Sequence, residues 1–559
     1  MLKSYPLPTG VLAALLLLAA HSAQAQAPNL TGIAPAANAR NVARNTPVVA
    51  TFSQPLTAAS AGALKVFSSQ RGGLRGGGTA AVASSTLTFA PAAYDFRPGE
   101  IVQYSLTTAA ASAGGPLARA RVGQFTAATG GIGRGLFGGG FALAQAAQPA
   151  ALAMGDLNAD AVPDLVVANP LTNTVSVRLS VSSKVYAASF DVLVDQGPRC
   201  VALADVDGDG DLDLLAVNAL ASSLSVRFNN GLGAFGGTQN VATDFGPSGL
   251  AVGDLDGDGD LDVLAAASGS TAVSCLLNNG AGTFAAAPAL ATGTNPVAVA
   301  LVDLDADGDL DVLTACAQPG AVTVHLNDGQ AGFTYAQSTG SGATTTALAV
   351  ADANADGYPD LFMLNTGSNT VGVALNDGTG FFSGFNTFLT GTTPVALAVG
   401  DMDADGDPDV LVATASNSRL TAWQNNGTGF FAPATMVSLP SDPRALVLAD
   451  MDADGDLDAV VTGGSTFSLN TYLNDGTGQL ASAAGAASAA LAAYPNPATG
   501  RVQLQLPSLA LTADLLDALG RVLRTVPARA GAATLDVTGL APGLYMVRAA
   551  GQVTRLVVE

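Results

Sequence analysis

Histidine, glutamate, tryptophan and cysteine are nearly missing from this 559-residue chain: two His, two Glu (Glu100 and Glu559), one Trp (Trp423) and three Cys. Once the amino-terminal leader is set aside, His325 is the sole histidine, and it sits in an alternating, strand-like stretch. No Ser-His-Asp or Cys-His set can be assembled around a single base. Paired-carboxylate glycoside chemistry is also disfavoured, because the aspartates outside one recurring motif are scattered through turns and termini. Cys200, Cys275 and Cys316 give no disulfide framework and read as small buried apolar residues. Charged residues are only 12% of the chain and form no basic patch, which excludes a nucleic-acid footprint. No run beyond the leader is long and apolar enough to span a bilayer.

What the chain has is aspartate in strict register. The nine-residue turn Asp254-Leu255-Asp256-Gly257-Asp258-Gly259-Asp260-Leu261-Asp262 recurs seven times at a spacing of 49 residues. Position one is Asp156, Asp205, Asp254, Asp303, Asp352, Asp401 and Asp450. Position three is Asn158, Asp207, Asp256, Asp305, Asn354, Asp403 and Asp452. Position five is Asp160, Asp209, Asp258, Asp307, Asp356, Asp405 and Asp454, and position nine is Asp164, Asp213, Asp262, Asp311, Asp360, Asp409 and Asp458. Position seven varies (Val162, Asp211, Asp260, Asp309, Tyr358, Asp407 and Asp456), so there the backbone carbonyl is the candidate ligand. Position six is Gly in six copies and Ala161 in the first, which suits a tight turn.

Four or five hard oxygens converging in nine residues suit Ca²⁺, and so many carboxylates would repel one another without a cation among them. The sequence therefore predicts up to seven Ca²⁺, with the first loop the weakest match. An EF-hand begins alike but needs a bidentate Glu at position twelve. Here position twelve is Val167, Ala216, Ala265, Thr314, Met363, Val412 and Val461, so that alternative is rejected. The net charge of −22 has the same source: the seven turns hold 31 of the 44 acids, and the other 13 face 22 bases. The acidity points to metal and not to a basic partner.

In chain order, residues 1–25 read as a secretory signal, with Lys3 at its start and Ala23-Gln24-Ala25 at the cleavage point. Residues 28–128 show short strands (Val48 to Phe52, Leu64 to Phe67, Leu87 to Phe89, Val102 to Leu106) between turn residues, the pattern of a β-sandwich. Residues 129–140 are Gly-rich and read as a linker. Across 141–481 each repeat yields four strand-like pieces. One runs into the acidic turn and one leaves it. A third alternates and ends at an Asn-Asn-Gly or Asn-Asp-Gly hairpin signal, and a fourth opens at Phe235, Phe284, Phe333, Phe382 or Phe431. Four strands in each of seven units predict an all-β fold, a seven-bladed β-propeller with a small β-sandwich on each side. Leu136 to Ala144 resembles a fourth strand placed ahead of the first repeat and is expected to close the ring on the last. Residues 482–492 read as a linker before a terminal sandwich at 493–559.

The turn motif with its downstream Asn-Asp-Gly-x-Gly-x-Phe resembles the FG-GAP/VCBS repeats of integrin α-subunits and bacterial surface proteins. That resemblance implies Ca²⁺ on positions one, three, five, seven and nine in a structural role. The run Ile33 to Asn38 and Asn45 to Ser53 resembles bacterial immunoglobulin-like domains. Tyr494-Pro495-Asn496-Pro497, Asp517 to Val522 and Gly539 to Val547 resemble the sorting domain of the type IX secretion system. Together they imply a protein secreted or carried to the outer cell surface of a gram-negative bacterium, with the secretion machinery as one partner. The expected role is binding or adhesion by a monomer toward an extracellular glycan or protein. The alternative expectation is a polysaccharide-active enzyme or accessory subunit scaffolded on the propeller.

Overall fold

The computed structural model describes residues 26–559 apart from 72–73, 75–79, 92–95, 146–147, 341–343, 440–441, 475–491, 495–496, 506–511, 518–520, 528–531, 550–551 and 559. The expected signal and nearly all of the expected 482–492 linker lie outside the described residues. The chain divides into two compact units, residues 1–481 and 482–559.

Each of the first six 49-residue repeats forms one antiparallel four-stranded sheet in meander order, and the seventh supplies three strands of its own. The third repeat is representative: Pro247–Gly253, Asp262–Ala267, Ala272–Asn278 and Phe284–Ala291. Its second strand is buried at every position, because neighbouring sheets cover both of its faces. That explains its unbroken apolar run, whereas the fourth strand is exposed over most of its length. The proline seven residues before most of the acidic turns also has a mechanical reason. Pro198, Pro247, Pro296, Pro394 and Pro443 each sit at a register irregularity opening the innermost strand, where no ladder N–H is needed.

The innermost strands of successive sheets pack side by side, and that of the first, Ala151–Gly155, packs on that of the seventh, Pro443–Ala449. The seven sheets therefore form a closed circuit. The seventh takes its outer strand from the far end of the array: Ala142, Leu143 and Ala144 pair with Asn470, Leu469 and Ser468. The stretch read as a linker is not free. The Gly130 amide donates to Gly455 O and the Gly135 amide to Met402 O. Phe137 is buried between the sixth and seventh sheets. Glycine serves here for close approach and not for slack, since a Cβ at Gly140 would collide with Thr471 O.

Residues 30–126 form the expected sandwich, four strands facing three around Val48, Leu64, Leu87, Tyr104 and Phe125. The sandwich belongs to the same compact unit as the ring. The second unit pairs a three-stranded with a four-stranded sheet around Val502, Leu515, Leu535, Val547 and Leu556. Among the described residues no helix is long and apolar enough to cross a membrane. All three cysteines are free thiols, and burial pushes Cys200 up to about 11 and Cys275 up to about 12.

Candidate metal centres

Every acidic turn links the innermost strand of a sheet to its second strand, so all seven lie at the same end of the ring. Positions four and six carry left-handed backbone, for example Ala306 at φ 61° and Gly308 at φ 87°. This alternation turns main-chain amides inward. The position-six amide donates to Oδ2 of the position-one Asp in all seven loops, at 2.7–3.2 Å. The position-nine carboxylate is a staple. One oxygen accepts the position-two amide at 2.8–3.1 Å in all seven loops. The other accepts the amide at the end of the third strand at 2.6–2.9 Å. This is why position nine never varies.

Positions one, three and nine gather in five loops: Asp205/Asp207/Asp213, Asp254/Asp256/Asp262, Asp303/Asp305/Asp311, Asp401/Asp403/Asp409 and Asp450/Asp452/Asp458. In each group one oxygen from every carboxylate lies within 4.8 Å of the others. In the first and fifth loops Asn stands at position three, and Asn158 and Asn354 donate to position five at 3.1 and 2.9 Å. The position-five carboxylates do not join these tight groups. Their Oδ1 atoms accept the position-seven amide at 2.8–3.2 Å.

The donor set fits a hard cation. Asp303 Oδ1, Asp401 Oδ1 and Asp450 Oδ1, all at position one, are buried without a hydrogen-bond partner, which is costly for a carboxylate. Burial pushes the position-nine carboxyls upward, Asp164 and Asp360 to about 7 and Asp213, Asp262, Asp311, Asp409 and Asp458 to about 8. Burial, then neighbouring carboxylates, does the same to Asp303, to about 7. Groups in this condition hold a proton near neutrality unless a cation supplies the missing positive charge.

Two sets of residues escaped the sequence reading. Asn229, Asn278, Asn327, Asn376, Asn425 and Asn474, read only as hairpin residues, tie sheet to sheet. Each Nδ2 donates to the position-two carbonyl of the preceding sheet at 2.6–2.9 Å. The signal was present: this Asn stands in six of the seven repeats, while the residue after it switches between Asn and Asp. The first repeat has Ser180 instead, followed by an extra hairpin of Ser180–Ser182 and Val185–Tyr186. That hairpin reaches the seventh sheet through Lys184 Nζ, 2.7 Å from Asp452 Oδ2.

The second set lies on the sandwich, which sits directly over the acidic turns. Lys65 Nζ lies 2.8 Å from Asp260 Oδ1 and from Gly259 O. Arg40 Nη1 lies 3.0 Å from Asp407 Oδ1, and Arg119 pairs with Asp307 and Asp309. Arg97 donates to Ala161 O. Asn38 Nδ2 donates to Asp303 O at 2.8 Å, the Leu74 amide to Asp205 Oδ2 at 2.9 Å, and the Thr129 hydroxyl to Asp401 Oδ2 at 2.7 Å. Position seven, discounted as a side chain, is thus where three of these cations land. The surplus of bases outside the turns was their trace in the sequence.

Comparison with known proteins names these parts. The FG-GAP-like repeat family model matches residues 205–265, 254–314, 303–363, 352–412 and 401–461. A bacterial Ig-like domain matches 24–127 and a secretion system C-terminal sorting domain matches 492–559. The chain is therefore an all-β protein of FG-GAP-like repeats with an Ig-like domain ahead of them. Its tail directs it to the cell surface or into the medium by the type IX route of Bacteroidetes-type gram-negative bacteria. No curated protein matches. Among solved structures, BBS1N in complex with ARL6DN is 15% identical, covering 62% of this chain and 99% of its own with a TM-score of 0.46. An Agrocybe aegerita lectin described as recognising non-reducing terminal N-acetylglucosamine is 19% identical, covering 75% and 98% with a TM-score of 0.40. A functionally unknown protein of Desulfotomaculum acetoxidans is 11% identical, covering 54% and 92% with a TM-score of 0.39.

Proposed function

We propose that this exported protein is a non-enzymatic binding or adhesion module. In this reading it works as a monomer, and up to seven Ca²⁺ set the loops of its ring. The carboxylate groups and the orphaned position-one oxygens support the choice of ion, because Ca²⁺ takes many hard oxygen ligands in flexible geometry. One observation carries the binding role. The sandwich occupies the acidic-turn end, which leaves the opposite end as the surface for a partner. The turns there expose Leu171, Leu220, Phe245 and Phe467, at 74, 74, 69 and 44%. These four side chains are large apolar groups that this end offers to a glycan face or a protein, and they are the ones to test.

His325 supports no general-base role: it is buried, with Nε2 3.0 Å from Ala291 O and its ring edge-on to Tyr335. A glycan and matrix-protein array probed with the mature protein, with and without Ca²⁺, tests the reading. Specific retention that Phe245→Ala and Leu220→Ala reduce supports it. Turnover of a polysaccharide panel, abolished at Asp244 or Asp442, would replace it with the enzyme alternative.

A further inference from the structure

We propose that the amino-terminal sandwich is a divalent-cation-dependent cap, whose docking on the ring and whose ring's metal binding strengthen one another. The inference rests on the metal reading above and concerns residues outside the loops. The sandwich does not simply lie on an acidic surface. Besides its ion pairs at positions five and seven, it grips the loops at positions one and six. At position one it meets Asp205 Oδ2 and Asp303 O, and Thr129, at the start of the Gly-rich strap 129–140 that follows it, meets Asp401 Oδ2. At position six it meets Gly259 O from Lys65 and Gly308 O from the Val122 amide at 2.7 Å, and the strap behind it meets Gly455 O from the Gly130 amide.

Positions one and six are the pair joined inside every loop by the inward amide. A loop that opens moves both acceptors together, and the cap loses its footing. An ion that closes the loop fixes both. Linkage then requires the docked cap to favour the closed loop and so to tighten metal. Charge alone works the other way, since the cap's cations and the ion draw on the same carboxylates, but it does not abolish the attraction. The loops met by Lys65, Arg119 and Arg40 at position seven carry five carboxylates each, so a divalent ion leaves them net negative and still attractive. Under the cap lies a cavity of about 290 Å³ lined by Phe67, Gln103 and Gln124 of the sandwich and Leu203, Ala251 and Leu301 of the ring. Undocking would open it.

The test is hydrogen exchange on the full chain, loaded with Ca²⁺ and then stripped, with bound metal counted by elemental analysis. Stripping is expected to cut protection of the Val122 and Gly130 amides at least about tenfold. The second-strand amides of Asp262–Ala267 should stay protected. Lys65→Glu combined with Arg119→Glu should expose the same two amides with Ca²⁺ present and weaken Ca²⁺ binding. Unchanged protection after proven metal loss overturns the linkage and leaves the metal reading standing. Loss of cap and ring protection together overturns it as well, because the cap would then not respond as a separate element. A chain that never holds Ca²⁺ overturns both.

Discussion

Replacing Asn278 by Ala removes one of the bonds that join one sheet to the next. The side chain is buried; its Nδ2 donates to Val206 O at 2.7 Å and Leu261 O at 3.1 Å, and its Oδ1 accepts the Asn279 amide at 2.9 Å. Truncation removes three hydrogen bonds at once: it takes the side-chain partner from the Leu261 carbonyl and the Asn279 amide, while Val206 O keeps the Gly282 amide at 2.8 Å. At ~1 kcal/mol for each net bond lost, the change should cost about 3 kcal/mol. Unfolding entropy near 2 cal/mol/K per residue over roughly 450 residues makes this a fall in Tm of only about 3 °C. Denaturant titration is therefore the better assay, run at saturating Ca²⁺ so that occupancy does not change between variants. Thr238→Ala, at an exposed position of a fourth strand, is the control. A loss below about 0.5 kcal/mol, no larger than the control, would refute the view that these asparagines hold the ring together.

Three further outcomes are expected. The position-nine carboxyls near 8 sit far above their ordinary 3.8, so the metal-free fold has its full support below about pH 4 and loses it as the pH rises through 8. Added Ca²⁺ should accordingly raise the Tm of stripped protein more at pH 8.5 than at pH 5.5, and equal rises would contradict the assignment. Phe137→Ala should cost about 3–4 kcal/mol in a melt or titration, because the ring is 3% exposed between the last two sheets. Ala161→Gly should stabilise by about 0.5 kcal/mol, since Ala161 is held at φ 68° where the other six loops have Gly.

Period and composition made much of this molecule legible. A step of 49 residues located every acidic turn, and alternation around Asn-x-Gly placed the strands of each sheet. What stayed hidden was tertiary. The Gly-rich stretch 129–140 reads as slack because glycine signals both freedom and crowding, and only the neighbouring Thr471 and Asp456 show which applies. Asp260 and Asp309 looked dispensable because Val162 and Tyr358 replace them elsewhere. Their partners, Lys65 and Arg119, come from the other domain at no fixed spacing. The hairpin asparagines looked like local turn residues because a bond across 72 positions has no signature within one repeat.

The exchange of one strand between the two ends of the repeat array bears on how the chain is made. Ala142–Ala144 emerges early in synthesis, and its partner Ser468–Tyr472 follows roughly 320 residues later, an extreme of non-local pairing that slows folding. Until then the nascent chain carries an unlatched edge at each end, the kind of surface that recruits a neighbour's strand. Truncation before Ser468 should therefore yield interlocked, polymerising chains in place of a smaller ring, so that completeness of the polypeptide is itself a condition for staying soluble.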